Sequence, residues 1–527
     1  MDAMTAHDST LPDDVDALKA MVRAMAEKTA RLEQRNAHLE QVNQGAEERI
    51  ARLMEIVKML ERARYGTRSE RLGKARLTDD QYALALDEIE TGVAALEVER
   101  DEILGRSSTK RPPRPRKGFA AHLERVEVVI EPDDPAGCEG LERIRIGEDV
   151  CERLDVTPAQ FRVIVTRRPK YVYKGRDGVI QAPAPARIIA SGIPTEALLA
   201  QIAVSKYADG LPLYRQEAIY ARDQVLIERS QMAQWMGKVG FELEPLAAYA
   251  LARIKQGERI FADETTLPTG MGKAKTAYLW AYVRDDRPFG GRDPPIVVYR
   301  FEDSRAGECV VHHLEGYRGI LQVDGYTAYH RLARPKGANE GVQLAACWSH
   351  VRRKFYELHV STASNVAAQT LEQMASLWAL EERVRGKDVG TRRQARQAES
   401  AAVVSGLFAL WEQELPKLSR KSKMAEAIRY ALTRRASLER FLSDGRVELD
   451  SNTVERAIRP QTITRKNSLF AGSDGGGRTW AAIASLLATA KMNNVDPHAW
   501  LTQTLERIAN GWPNREIDAL MPWNYRP

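Results

Sequence analysis

Near the N-terminus, apolar residues recur at every seventh position: Leu18, Met25, Leu32, Leu39, Ala46, Leu53 and Leu60. Val22, Thr29, Asn36, Asn43, Ile50 and Val57 stand four positions after the first six of these. A seam of period 3.5 stays on one side of a helix and must be buried against another helix. Val and Ile at one core position with Leu at the other favour two parallel strands, while Asn36 and Asn43 weaken the seam but fix its register. The expectation is a coiled-coil and helical dimerisation region over 14–105, with Leu18, Leu32, Leu39, Leu53 and Leu60 at the contact. A helix folded back on one near 79–104 of the same chain satisfies the same pattern. Gly66, in the polar run GTRSER, interrupts the helix between the two.

A chain of 527 residues holds several domains. No apolar run approaches the roughly 18 residues of a membrane helix, and the acidic N-terminal stretch does not read as a secretory signal. Four cysteines do not make a disulfide scaffold and suit a reducing cytosol. The net charge of +6 is the difference between 78 basic and 72 acidic residues, so local patches say more than the total.

Residues 106–118 form a basic, Pro-rich linker, with Lys110, Arg111, Arg114, Arg116 and Lys117 among three prolines. Such a segment stays extended and serves as a spacer, as an arm along DNA phosphates, or as both. Residues 119–188 alternate β-rich runs with turns and read as a small β-rich module. Its Cys138 and Cys151 are not part of a CxxC pair, so zinc is not expected there. Residues 189–256 read as helices broken at Asp209-Gly210, with Ser230 as a cap for the last. That pattern suits a helix-turn-helix and equally a plain bundle.

Residues 257–361 change character. RIFADETT, TAYLWAYVRDD and PPIVVYRFED read as three strands, followed by a helix, a strand at GILQVD, and a strand leading into the helix CWSHVRRKF. Asp263 and Asp324 each end an apolar run. In α/β sheets ligands bind beyond the carboxyl ends of strands. Two carboxylates on neighbouring strands repel, and a divalent cation relieves that repulsion. Oxygen-only donors select Mg2+ or Mn2+. The other reading is that both aspartates satisfy turn backbone, as Asp-Gly often does. Glu455, 131 positions after Asp324, opens a helix beside Arg456, Arg459, Arg465 and Lys466.

The spacing of Asp263, Asp324 and Glu455 resembles the acidic triad of DDE transposases. The phrases RYGTRSERL, SKYADGLPLYRQ, ADETT, QVDGYTAY, CWSHVRRKF, NTVERAIRPQTITRKNSLFAGS and AKMNNVDPHAWLTQTLERI, in that order, resemble the IS66 family of transposases. The resemblance implies a multidomain α+β chain with a ribonuclease-H-like α/β catalytic domain split as 257–361 and 448–480. A helical insertion at 362–447 and a C-terminal helical region at 481–527 complete it. It implies a bacterial, cytoplasmic enzyme that cleaves DNA at the terminal inverted repeats of an insertion sequence and joins the 3′-OH to target DNA. Asp263, Asp324 and Glu455 would hold two Mg2+ ions, with Mn2+ as a substitute. It further implies a homodimer or higher oligomer and accessory proteins encoded by the same element.

Arg459, Arg465 and Lys466, and a second patch of Arg352, Arg353 and Lys354, are expected to hold phosphates of the transposon end. A structural charge network is the alternative. Cys347 and His350 form a CxxH pair, too few ligands for zinc and better suited to packing or DNA contact. GSDGGGR at 472–478 reads as a phosphate-approaching or flexible loop. It is no Walker A loop, nor is GMGKAKT at 270–276, so no ATP dependence is expected. Family members often carry paired cysteines near residue 140, where this chain has Cys138 alone. Two other functions fit the same residues: a metal-dependent nuclease or resolvase, and a catalytically dead dimeric DNA-binding regulator.

Overall fold

The computed structural model describes residues 14–16, 19–36, 40 and 119, and, from 123 to 526, all but 134, 136, 139–140, 142, 158–159, 191, 271–274, 334–340, 363 and 470. Leu18, Leu39, Leu53, Leu60 and the basic linker with Lys110, Arg111, Arg114, Arg116 and Lys117 lie outside the described residues. The chain divides into two units. In the first, residues 19–36 are helical and expose Met21, Val22, Met25 and Leu32.

The second unit is mixed α+β, with two mixed sheets. The smaller sheet opens with β1 (Glu124–Val129) parallel to β3 (Gln160–Tyr173), and β3 pairs antiparallel with the long β2 (Arg143–Thr157) and the short β4 (Ile180–Gln181). One face carries the buried Leu154, Val163 and Val165, while Val128, Val129, Ile144 and Val150 remain exposed. The sheet is tied to the next segment through Leu154, whose N–H donates to Ile193 O (2.7 Å) and whose carbonyl accepts Thr195 N–H (3.1 Å).

Three helices follow: α1 (Glu196–Tyr207), α2 (Leu213–Arg222) and α3 (Arg229–Ile254). The Thr195 hydroxyl accepts the Leu198 N–H and caps α1. The sequence expectation of a Ser230 cap is corrected: α3 starts two residues earlier than such a cap implies, at Arg229 after Glu228, and Ser230 lies inside it. Met232, Met236, Val239, Leu243, Leu246, Ala250 and Ile254 bury one face of α3 at three- and four-residue spacing.

The larger sheet runs β7-β6-β5-β8-β9. Its strands are β5 (Arg259–Thr269), β6 (Lys275–Arg284), β7 (Ile296–Glu302), β8 (Ile320–Val323) and β9 (Gln343–Ala346). The first three form an antiparallel meander, and β5, β8 and β9 run parallel. A short helix α4 (Gly307–His313) precedes β8, and α5 (Trp348–Thr362) follows β9. Five helices come next: α6 (Asn365–Val384), α7 (Val389–Ala395), α8 (Ala401–Glu414), α9 (Lys423–Leu432) and α10 (Arg435–Ser443). They enclose an aromatic core in which Trp348, Phe355, Phe408, Trp411 and Phe441 are buried together.

The chain then returns to the sheet through α11 (Asn452–Ser468), α12 (Asp474–Met492) and α13 (Pro497–Ala509). The reading of GSDGGGR as a loop is corrected, because its second half is the first turn of α12, capped by Ser473. Gly477 lies so close to Phe301 that a Cβ there would sit 2.4 Å from the ring. Side-chain hydroxyls of α12 close the outer edge of β7: Val297 N–H donates to Thr489 Oγ1 (3.1 Å) and Tyr299 N–H to Ser485 Oγ (2.7 Å). An edge strand whose N–H groups are satisfied this way is no template for further pairing. No helix among the described residues is long and apolar enough to cross a membrane.

Candidate active site

The register of β5 and β8 sets Phe261 opposite Gln322. Two residues further on each strand stand Asp263 and Asp324, side by side at the carboxyl end of the parallel pair. Ile260, Phe261, Ala262, Leu321 and Val323 are buried, which fixes both strands in the core and leaves Asp263 and Asp324 half-buried at its rim. Asp263 Oδ1 accepts the Glu264 N–H (2.8 Å). Asp324 Oδ1 accepts the Tyr326 N–H (2.8 Å) and so shapes the turn that follows.

That turn is gripped by the helical segment. The Tyr430 hydroxyl of α9 donates to the Asp324 carbonyl (2.6 Å), and Arg434 Nη2 donates to the Gly325 carbonyl (3.0 Å). Gly325 has φ +101°, and a Cβ there would meet Arg434 Nε at 2.6 Å, so both the backbone and the space require glycine.

Glu455 comes from the first turn of α11. Gln322, fully buried in β8, receives the segment before that helix: its Nε2 donates to Glu448 O (2.7 Å) and Asp450 O (2.9 Å), and its Oε1 accepts Glu448 N–H (3.1 Å). Trp348 N–H donates to Leu449 O (3.0 Å), and Ser451 N–H donates to Cys347 Sγ (3.2 Å). Together these bonds hold the start of α11 against the ends of β8 and β9.

The electrostatics are one-sided. Burial, together with the charges of Asp324, Glu264 and Glu455, pushes the Asp263 carboxyl up to about 7, against a smaller downward pull from the Glu264 N–H. Burial also raises Glu264, which is held by the Tyr329 hydroxyl (2.7 Å) and by Arg305 Nε (2.9 Å). Carboxylates gathered without an equal number of cations, and offering only oxygen donors, fit a hard divalent cation.

The basic residues divide. Arg352, Arg353, Arg459 and Lys466 are exposed. Arg353 Nη2 lies 4.0 Å from Glu455 Oε2, and Arg352 sits 5.9 Å from the Tyr356 ring and 6.0 Å from that of Trp378. Lys354 is half-buried over the Tyr430 ring (4.7 Å). Arg465 is half-buried and turned onto β5, where Nη1 donates to Thr265 Oγ1 (3.1 Å), Thr266 Oγ1 (2.7 Å) and the Thr266 carbonyl. Glu264, Gln322, Tyr430 and Arg434 were not singled out from sequence. A glutamine inside the apolar run ILQV signals Gln322 and an acid directly after Asp263 signals Glu264, whereas nothing local marks Tyr430 or Arg434.

Comparison with known proteins follows the same division of the chain. Residues 191–479, just over half its length, match the model described as "Transposase IS66 family", and 485–523 match "IS66 C-terminal element". Residues 52–128 match "Transposase C of IS166 homeodomain", and 136–175 match "zinc-finger binding domain of transposase IS66". Among similar proteins of Sinorhizobium fredii, the uncharacterized protein y4qI is 63% identical over 98% of each chain. The uncharacterized protein y4jD is 39% identical over 92% of this chain and 98% of that one. No solved structure matches.

The zinc-finger match bears on the expectation that zinc is absent. Residues 136–175 contain Cys138 and Cys151 and no histidine. Cys138 Sγ accepts from Arg176 Nη1 (3.0 Å), and Cys151 Sγ from Arg187 Nη2 (2.8 Å). Two sulfurs facing guanidinium groups do not fit a four-ligand zinc site.

Proposed function

Because this chain belongs to the IS66 family of transposases, we propose that it catalyses the transposition of an insertion sequence, cleaving a phosphodiester at the element end and passing the freed 3′-OH to target DNA. The observation that carries this reading is the meeting of Asp263 and Asp324 on neighbouring parallel strands, with Glu455 close enough to help push Asp263 up to about 7. The mixed sheet, with one acid in β5 just past its parallel pairing with β8, one directly after β8 and one on a returning helix, supports a ribonuclease-H-like catalytic domain.

Asp263, Asp324 and Glu455 hold the metal ions in this reading. A pair of Mg2+ ions, or Mn2+ in their place, supplies the Lewis-acid charge that activates an attacking water and steadies the leaving 3′ oxygen. The side chains bind, space and orient. Asp263, with its carboxyl pushed up to about 7, would take a cation in place of a proton, and Asp324 is held in aim by the turn that Tyr430 and Arg434 fix. No serine or tyrosine is needed as a nucleophile, since both steps are displacements at phosphorus. Arg352, Arg353, Arg459 and Lys466 face solvent around this end and are the groups we assign to DNA phosphates. Arg465 and Lys354 have contacts within the protein and serve mainly to brace β5 and α9. Terminal inverted repeats and target DNA are the proposed partners, and the heptad region is the proposed dimerisation element.

The test is Mg2+-dependent strand transfer with labelled element ends and a plasmid target. Joined products are expected from the wild type and not from Asp324→Asn. Cleavage without joining would make the protein a nuclease or resolvase, and equal activity of the two proteins would remove Asp324 from the site.

A further inference from the structure

The CxxH pair at 347–350 has a geometric explanation that does not involve zinc. Cys347 directly precedes α5, and its sulfur accepts the backbone N–H of His350, three residues on, as an N-cap side chain does. The same sulfur accepts the Ser451 N–H at the start of α11 (3.2 Å). One buried thiol therefore ties the helix that carries His350 to the helix that carries Glu455. The three-residue spacing is the spacing of a cap to the N–H it satisfies.

The side chain of His350 is then aimed at Glu455. Nδ1 lies 3.9 Å from Glu455 Oε1, is buried, and has no hydrogen-bond partner among the described residues. Glu455 itself is weakly held: its Oε1 accepts from Ser451 Oγ at 3.5 Å and its Oε2 is 4.0 Å from Arg353. An unsatisfied buried nitrogen facing a loosely held carboxylate about 1 Å beyond bonding distance is the arrangement that closes when the carboxylate takes its working position.

We propose that His350 is a positioning residue for Glu455, donating from Nδ1 to Oε1 and fixing the carboxylate toward the bound cations. The proposal rests on the acidic-site reading given above. A ligating carboxylate that is itself hydrogen-bonded is better oriented, and loss of such a partner commonly weakens metal binding about 10- to 100-fold. Arg353, also near this carboxylate, is exposed and does not share the role, because solvent competes for its guanidinium.

The experiment measures Mn2+ binding to the full-length, DNA-free protein by the paramagnetic resonance of free Mn2+, with thermal melting of each metal-free variant. His350→Ala is expected to weaken Mn2+ binding at least tenfold with its melting temperature near that of the wild type, and His350→Gln, which keeps a donor, to recover most of that loss. Should the alanine variant not fold, His350→Gln and His350→Met, similar in volume and different in donor, carry the same comparison. Wild-type Mn2+ affinity in His350→Ala, with affinity lost in Glu455→Gln, overturns the proposal and leaves the acidic site standing. Wild-type affinity in Glu455→Gln overturns both. A thiolate absorption band with Co2+ that Cys347→Ser abolishes would make Cys347, His350 and Glu455 a metal site of their own and likewise overturns the proposal.

Discussion

Two charged clusters of this protein are built oppositely. In the helical segment, Arg392 and Arg396 are almost fully enclosed, and each is ion-paired with a carboxylate. Arg396 makes two bonds of 2.7 Å to the Glu381 carboxylate and donates to Phe441 O and Asp444 O, while Arg392 bridges Glu381 (3.1 Å) and Glu448 (2.7 Å). At the carboxyl end of the parallel strands, half-buried Asp263 stands near Asp324, Glu264 and Glu455, all of its own sign, and the nearby cations Arg305 and Arg353 lie against Glu264 and Glu455. A closed ion network holds helices in register. A cluster with an excess of one sign raises the energy of the empty protein and is relieved by something from outside.

The sharpest way to break this contrast is Asp263→Asn. Strand cleavage should fall by ~10³-fold or more in single-turnover assays, with binding of element ends unchanged in a gel-shift titration. A normal cutting rate would reduce the acidic cluster to a structural feature. Arg396→Met tests the other side. It leaves Glu381 buried with less compensation and should cost about 3–5 kcal/mol in denaturant unfolding. A loss near zero would mean that the network is solvated and the contrast false.

The next effect concerns pH. Asp263 sits at about 7 in the fold, against an ordinary value near 3.8, so the folded state favours its protonated form. The stability tied to this group is complete below about pH 4 and is lost as pH rises through 7. Without metal, Asp263→Asn should therefore be more stable than the wild type at pH 8 and little different at pH 4. Mg2+ must displace that proton, so calorimetric affinity should fall by about tenfold per unit below pH 7 in the wild type. The smallest effect separates the basic residues: Arg465→Ala should cost ~1 kcal/mol of stability through its lost bonds to β5, whereas Lys466→Ala should cost none and weaken DNA binding.

Much of the site could be read from short-range signals. The apolar run before Asp324 marks the end of β8, whereas the one before Asp263 does not end its strand, since β5 runs on to Thr269 paired with β6; a polar N-cap region before an amphipathic run marks the helix with Glu455. The β5–β8 register, which sets the two aspartates side by side, depends on burial of both strands and has no local signature. The run SDGGGR misleads because glycine usually marks a loop, whereas here it lets α12 approach Phe301. Ser230 misleads because a good capping residue does not cap when a residue two positions earlier, Glu228, already has the extended backbone of the cap position. Arg465 illustrates the limit of charge reading, since a guanidinium within a basic cluster can be spent on threonines of a neighbouring strand. The heptad leucines beyond Leu32 and the basic linker lie outside the described residues, so their expected roles stand as proposals.

The grip of Tyr430 and Arg434 on the Asp324–Gly325 turn has a consequence for anyone trimming this chain. The helices from 365 to 443 look like cargo placed between a sheet and the helices that return to it, the sort of module one would excise to reach a minimal enzyme. Excision would take away both donors that hold the turn, along with the aromatic bed on which α5 rests. A shortened protein could keep all three acidic residues and still present Asp324 on a slack turn. The smallest working form of this chain is set by what steadies its carboxylates as much as by where they stand.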